Sequence, residues 1–252
     1  MEEPYNKVLL SFGRKISKIL KAHRKFLIIG QICAHSLLKG NGRKNLRQNR
    51  KNKKFIYLIS PNKIKNEEFY IKLNQVLSSK KISFFQLRLK KENIKKKIYI
   101  SKKIKKICKK YHVKFLINDD PLLAKKVGAD GCHLGQNDMN ILIARKILRN
   151  KIIGVTCHNS INLAKKAFVG GADYLAFGAF YSSKTKKTKY KANLKILRLA
   201  KKLTNIPLVA IGGINEANYK KLLLNKANFL AISGYIWNNK KLNPKEAINK
   251  LI

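Results

Sequence analysis

Acidic residues are scarce in this chain. Its 252 residues contain 12 aspartates and glutamates against 57 lysines and arginines, a formal net charge of +45 at pH 7. Aspartate is the rarer acid, and Asp119, Asp120, Asp130 and Asp138 lie close together in the sequence. In a chain with so little negative charge, this grouping indicates a function.

Other scarcities exclude several classes of protein. The four cysteines form no Cys-x-x-Cys pair and no zinc-like spacing with the histidines, so they are predicted to be free thiols in a reducing, cytoplasmic compartment. The longest apolar run, residues 26–38, is interrupted by polar residues and is too short for a membrane span. We therefore expect no stable membrane association.

The positive charge consists mostly of lysine and is spread along the whole chain. Proteins that bind nucleic acids specifically usually concentrate arginine and aromatic residues on one face. The composition therefore predicts weak, salt-dependent adsorption to polyanions and no specific nucleic-acid partner. It leaves the oligomeric state open and is compatible with a homo-oligomer.

Residues 1–54 differ from the remainder. A basic segment at 14–25 has loosely helical spacing, and residues 40–54 are rich in Gly, Asn, Arg and Lys with almost nothing to bury. The sequence therefore predicts a basic, poorly ordered N-terminal extension and linker at 1–54, followed by a catalytic domain at 55–252.

Strand-like and helix-like segments alternate from Phe55 onward, and most of the strands are apolar on both faces, as in a buried parallel sheet. The predicted strands are Phe55–Ile59, Ile82–Leu87, Lys114–Ile117, Asp130–Leu134, Ile152–Val155, Tyr174–Phe177, Leu208–Ile211 and Phe229–Ile232. Eight such units predict an α/β fold, the (β/α)8 TIM barrel. A doubly wound open sheet is the alternative, but no Gly-x-Gly-x-x-Gly follows the first strand.

Charged and polar residues follow the predicted strands. Gln86, Arg88 and Lys90 alternate along the end of the second strand, so their side chains are expected to point together into the barrel mouth. Asp119 and Asp138 follow the third and fourth strands, where two carboxylates could share one Mg²⁺. Asp120 precedes a proline and is instead expected to cap a helix or to form a turn.

The remaining strand ends point to phosphate chemistry. Thr156 follows the fifth strand, and the hydroxyl- and lysine-rich segment 182–186 follows the sixth. Gly213 and the pair Ile232-Ser233 end the seventh and eighth strands, where barrels commonly bind a phosphate monoester through backbone N–H groups. Small phosphorylated molecules are therefore the expected ligands.

Taken together, these segments resemble the thiamine-phosphate synthase family. The segments that carry the resemblance run in order between Phe55 and Trp237: Gln86 to Lys90, Ile117 to Asp119, Gly128 to Asp138, Gly154 to His158, Gly171 to Tyr174, Ser183 to Lys186 and Ala210 to Ile214. The resemblance implies a Mg²⁺-dependent transferase. Such an enzyme joins hydroxymethylpyrimidine diphosphate to a hydroxyethyl-thiazole phosphate. The reaction forms thiamine monophosphate and releases pyrophosphate.

The resemblance also implies a role for each site residue. Asp119 and Asp138 would hold Mg²⁺, and Lys90, Lys186 and Thr156 would act in catalysis. The pyrimidine diphosphate would be bound by the set Gln86, Leu87, Arg88, Leu89, Lys90, Asn118, Thr156 and Lys186. The thiazole phosphate would be bound by the set Ser183, Lys184, Thr185, Gly213, Ile232 and Ser233.

Two other functions remain open at this stage. A thiazole tautomerase shares the barrel and the thiazole-phosphate site but needs no diphosphate-binding cations. A non-catalytic protein could instead bind RNA or membrane through residues 1–54. The joint presence of Arg88, Lys90, Asp119, Asp138 and Lys186 favours the synthase.

Overall fold

A computed structural model describes residues 54–182 and 189–251. The strands in these ranges are β1 (Ile56–Ile59), β2 (Ile82–Leu87), β3 (Lys114–Asn118), β4 (Gly131–Leu134), β5 (Ile152–His158), β6 (Tyr174–Gly178), β7 (Leu208–Ile211) and β8 (Phe229–Ile232). Each strand pairs in parallel with the next, and β8 pairs with β1 to close the barrel. The predicted TIM barrel is confirmed, and the closure excludes the open sheet.

Helices follow the strands on the outside of the barrel. They are α1 (Glu68–Leu77), α2 (Ile94–Lys110), α3 (Pro121–Lys126), α4 (Ile141–Leu148), α5 (Ile161–Val169), α6 (Lys195–Leu203), α7 (Tyr219–Leu224), α8 (Gly234–Trp237) and α9 (Pro244–Asn249). Several begin at a residue whose side chain accepts a backbone N–H, such as Asn93 before α2 and Ser160 before α5.

An aromatic layer fills the lower part of the barrel interior. Phe84 lies with its ring centroid 5.4 Å from Tyr57, 6.1 Å from Tyr174 and 5.0 Å from Phe229. Gly154 makes room for this layer, because a Cβ at that position would lie 1.8 Å from the Tyr174 ring. The interior below the mouth is therefore a packed core, as in other TIM barrels.

A repeated turn stands before every second strand from β4 onward. Asp130, Asp173 and Asn228 stand directly before β4, β6 and β8, and each side chain accepts the N–H of a residue in the preceding strand. The Gly-Ala-Asp sequences at 128–130 and 171–173 mark two of these turns. Asp130 and Asp173 therefore have structural roles at the end of the barrel opposite the mouth.

Asp173 has the stronger of these two contacts. Its Oδ2 accepts from Ile153 N at 2.7 Å and from the Arg145 guanidinium at 2.6 Å, with side-chain exposures of 27% for Arg145 and 20% for Asp173. Arg145 also donates to the carbonyls of Gly171 and Lys151, each at 2.6 Å. These contacts join the starts of β5 and β6 to α4.

We expect Asp173→Ala to lower the free energy of unfolding by about 2–4 kcal/mol, because it leaves the Ile153 N–H without its acceptor and the partly buried Arg145 guanidinium without its counter-charge. Asp130→Ala is the matched control and should cost about 1–2 kcal/mol, because its ion pair with Lys114 is solvent-exposed. Urea unfolding measures both. Equal losses would contradict the role assigned to Arg145.

Residues 1–53 lie outside the described ranges, so the predicted N-terminal extension remains a prediction. Across 54–182 and 189–251, no helix has the length and apolar character that a membrane crossing requires.

Candidate active site

The end of β2 carries three of the predicted site residues. Gln86 is 2% exposed and its Nε2 donates to the Tyr57 hydroxyl at 2.9 Å. Arg88 follows the strand, and its Nη1 donates to Asn62 Oδ1 at 3.0 Å. Lys90 extends to Asp119, with 2.8 Å between its Nζ and Oδ2 of the aspartate. The two cations that follow β2 therefore lie at the mouth of the barrel, while Gln86 is buried below them.

Leu87 and Leu89 alternate with those residues and belong to the hydrophobic core. Their exposures are 3% and 4%. They line a cavity of about 260 Å³ together with Leu123 of α3 and with Lys90 and Asp119. Within the set of residues predicted to bind the pyrimidine diphosphate, Leu87 and Leu89 are therefore residues whose side chains pack in the core.

Asp119 occupies a sharp turn after β3. Its φ is 66°, a left-handed conformation that few residues other than glycine adopt and that often occurs at functional sites. Its N–H donates to the His133 carbonyl at 2.8 Å, which fixes the turn against β4. The next residue, Asp120, accepts from Leu123 N at 2.8 Å and caps α3, as predicted.

Asp138 reaches Asp119 from the loop after β4. Its Oδ2 accepts from Gly135 N at 2.6 Å, which holds the loop closed. Burial and the hydrogen bond to Asp119 raise the pKa of Asp138. Burial also acts to raise the pKa of Asp119, but its contacts with Asp138 and Lys90 lower that pKa overall. A negative charge on either carboxylate therefore disfavours a negative charge on the other.

These two carboxylates fit a hard divalent cation. They lie side by side at the mouth, and a divalent ion between them would offset the repulsion of their charges. Within the described ranges, no group of three or more His, Cys, Asp or Glu residues is arranged to bind a metal. A pair of carboxylates suits Mg²⁺, which takes one or two such ligands and completes its shell with water and substrate phosphates.

Asn118 and Thr156 lie on the same side of the barrel. Asn118 ends β3 and lines the cavity beside Lys90 and Asp119. Thr156 lies within β5, which runs three residues past its predicted end and has an irregular register after Thr156. Its Oγ1 is 2.8 Å from His133 Nε2, and its carbonyl accepts from Gln136.

The turn after β7 requires a small residue, and the turn after β8 is held by a hydrogen bond. Gly213 has φ 60°, and a Cβ there would lie 2.2 Å from the Ser182 carbonyl oxygen. Ile232 ends β8 and is buried, and Ser233 donates its hydroxyl to the Ser60 carbonyl at 3.1 Å. The loop after β6 thus passes directly over the end of β7. Ser183, Lys184, Thr185 and Lys186 lie outside the described residues, and their roles remain predictions.

Two site contacts that follow β1 were not predicted from the sequence. Ser60 accepts from Arg88 N at 2.9 Å, and Asn62 accepts from the Arg88 guanidinium. Both follow a strand, so the rule that identified the other site residues would also have found them. Tyr57 and Tyr174 were not predicted for a different reason. In the sequence, a tyrosine in a buried strand looks the same whether its hydroxyl makes a polar contact or its ring only packs in the core.

Comparisons with known proteins point to one family. The family model described as thiamine monophosphate synthase matches residues 56–236. A thiamine-phosphate synthase from Pelagibacter ubique is 73% identical over 206 residues, which cover 82% of this chain and all of that protein. One from Nitrosomonas eutropha is 40% identical over 71% of this chain and 84% of its own length.

A solved structure extends the likeness to three dimensions. The thiamine phosphate pyrophosphorylase from Pyrococcus furiosus superposes with a TM-score of 0.70 at 28% identity, covering 81% of this chain and 96% of that one. Fold, strand-end residues and relatives all lead to the same conclusion. This chain belongs to the thiamine monophosphate synthase family.

Proposed function

We propose that this chain catalyses the condensation of hydroxymethylpyrimidine diphosphate with a hydroxyethyl-thiazole phosphate, giving thiamine monophosphate and pyrophosphate. The chain is thus a transferase of a pyrimidinylmethyl group, active in the cytoplasm. The observation that carries this proposal is the contact of Lys90 with Asp119 beside Asp138, next to Arg88, at one mouth of the barrel.

The chemical problem is the departure of a highly charged leaving group. Arg88 and Lys90 offer fixed positive charge where the diphosphate gains negative charge, and Lys186 is proposed to add a third cation. When bound by Asp119 and Asp138, Mg²⁺ would supply further neutralisation of that charge.

The other residues position the reactants. Gln86 is proposed to bind the pyrimidine, and Asn118 and Thr156 the diphosphate. Ser183, Thr185, Gly213, Ile232 and Ser233 are proposed to hold the thiazole phosphate. The aminopyrimidine can support positive charge at its methylene carbon, so the carbon–oxygen bond can break before the thiazole nitrogen attacks. Positioning and the exclusion of water then matter more than acid–base chemistry.

The cations after β2 argue against a thiazole tautomerase. That reaction involves no diphosphate, and a site for it would not need two basic residues facing a pair of carboxylates. Arg88 is fixed by Ser60 and Asn62, which indicates that its position matters to the site.

The test is an assay of the purified full chain with both phosphorylated precursors and Mg²⁺. We expect thiamine monophosphate and pyrophosphate to form in equal amounts, and only when both precursors are present. Formation of neither product, with the precursors shown to be intact, would refute the proposal.

The same assay tests the proposed division of the chain. If residues 55–252 are the catalytic domain, a variant that lacks residues 1–54 should keep the turnover of the full chain. Loss of turnover in a variant that still folds would contradict that division.

A further inference from the structure

Five side chains form a continuous hydrogen-bonded chain through the barrel below the mouth. Gln86 Nε2 donates to the Tyr57 hydroxyl at 2.9 Å, and the Tyr57 and Tyr174 hydroxyls are 2.7 Å apart. The Tyr174 hydroxyl is 2.8 Å from His133 Nδ1, and His133 Nε2 is 2.8 Å from Thr156 Oγ1. The two ends of the chain are thus residues proposed to contact the pyrimidine and the diphosphate.

The direction of these hydrogen bonds follows if every buried hydrogen in the chain has an acceptor, because a buried donor without one is costly. The Tyr57 hydroxyl accepts from Gln86, so its single hydrogen is then donated to Tyr174. Tyr174 in turn donates to His133 Nδ1, which in this direction is the acceptor nitrogen of a neutral ring. The ring hydrogen then lies on Nε2 and is donated to Thr156 Oγ1.

This direction determines what the chain presents to a ligand at each end. Thr156 accepts from His133, so its own hydroxyl hydrogen is available to donate toward the mouth. Gln86 donates inward through its nitrogen, so its carbonyl oxygen is available as an acceptor. A diphosphate can only accept hydrogen bonds, whereas the amino group of an aminopyrimidine donates them. Both ends therefore match the same substrate.

If the hydrogen bonds ran in the opposite direction, neither Gln86 nor Thr156 would match the substrate. Turning the Gln86 amide over would make Tyr57 donate to it, and every later bond would reverse, because each hydroxyl has one hydrogen. Thr156 would then donate inward, and Gln86 would present N–H groups to the amino group of the pyrimidine. The two contacts with the substrate therefore switch together.

We propose that Tyr57, Tyr174 and His133 are positioning residues that fix the hydrogen-bond direction of Gln86 and Thr156. The site then matches a substrate that donates a hydrogen bond to Gln86 and accepts one from Thr156. This inference rests on the proposed function for the identity of the substrate, but the hydrogen-bond direction stands without it.

The environment of the two tyrosines supports this role. Each is 2% exposed, and burial raises the pKa of both phenols, so that both keep their hydrogens. A buried hydroxyl hydrogen without an acceptor is costly. An arrangement in which all the hydrogen bonds run in the same direction is therefore favoured over one in which the direction changes partway along.

The direction can be measured without substrate. In ¹⁵N-labelled protein, long-range ¹H–¹⁵N NMR spectra distinguish the two neutral forms of a histidine ring, and the His133→Gln variant identifies the His133 signals. We expect the hydrogen of His133 on Nε2. A hydrogen on Nδ1, or a doubly protonated ring at neutral pH, would overturn the proposed direction.

Kinetics tests the consequence for the substrate. Tyr57→Phe removes one link of the chain and should raise the KM for the pyrimidine diphosphate about tenfold, with the KM for the thiazole phosphate unchanged. Tyr70→Phe is the control, because Tyr70 is also largely buried, with 9% exposure against 2% for Tyr57, but lies in α1 outside the barrel. Equal effects of the two variants, or equal changes in both KM values, would contradict the positioning role.

A pair of variants at His133 separates positioning from packing. Glutamine can place an amide nitrogen near the Nε2 position and donate to Thr156, whereas leucine cannot. We expect His133→Gln to keep a lower KM for the pyrimidine diphosphate than His133→Leu, and equal values would contradict the proposal. A wild-type protein without synthase activity would refute the proposed function instead, while the NMR result would still decide the direction.

Discussion

Replacing Lys90 by alanine is expected to lower kcat by about 10²–10³, the loss typical when one fixed electrostatic donor is removed from a transition state. Lys90 contacts Asp119 at the mouth, so its ammonium group lies beside the proposed position of the diphosphate. The effect should fall mainly on kcat, because the charge on the leaving group grows as the bond breaks. Steady-state kinetics with both substrates measures it, and Lys186→Ala should give a loss of the same scale.

The neighbouring Lys91 supplies a matched control. It is an exposed residue one position further along the same turn, and the ion pair with Asp119 is made by Lys90. Lys91→Ala makes the same change in net charge and should leave kcat within about twofold of the wild type. If the two alanine variants lost activity equally, the effect would reflect overall charge rather than a positioned cation.

Asp119→Asn is expected to lower kcat by at least about 10² at a fixed, low Mg²⁺ concentration and to raise the Mg²⁺ concentration needed for half-maximal activity. The amide keeps the size of the side chain but removes the charge that would hold the ion. A titration of activity with Mg²⁺ separates this effect from a loss of folded protein, which would lower the maximum without shifting the midpoint.

Asp120→Asn is the control for that variant. Asp120 caps α3 through Leu123 N, and asparagine caps helices about as well as aspartate does. We expect this variant to keep the wild-type Mg²⁺ midpoint. A shift as large as that of Asp119→Asn would mean that the local net charge, and not the carboxylate pair, sets the affinity for the ion.

Much of the barrel could be predicted because buried parallel strands leave a clear pattern. β2, β7 and β8 begin and end as predicted, since each is an apolar run between polar or glycine-containing turns. β5 extends further than predicted because polar residues at its end, Thr156 and His158, still pair with β6. Its end is therefore determined by the neighbouring strand, which local composition does not reveal.

The site was partly predictable for a topological reason. All strands of a parallel barrel point the same way, so residues that follow them in sequence meet in space. This logic, together with the family resemblance, identified Lys90, Asp119 and Asp138, which the structure brings into one cluster. The same reasoning gave Asp120 a structural role and its neighbour Asp119 a role in the site.

The interior chain of hydrogen bonds could not be predicted in the same way. Tyr57 and Tyr174 are separated by 117 positions, and neither stands at a strand end. Their contact depends on the diameter of the closed barrel and on the space left by Gly154. His133 lies within β4, where a histidine is more often a packed core residue than part of a polar chain.

The most direct test of the proposed site is a crystal structure of the protein with Mg²⁺ and pyrophosphate. We expect one ion at the mouth with oxygens of both Asp119 and Asp138 at about 2.0–2.1 Å, as Mg²⁺ requires. Lys90 Nζ should then lie within hydrogen-bonding distance of the pyrophosphate. An ion that contacts neither carboxylate, or a pyrophosphate bound away from Lys90, would contradict the proposed chemistry.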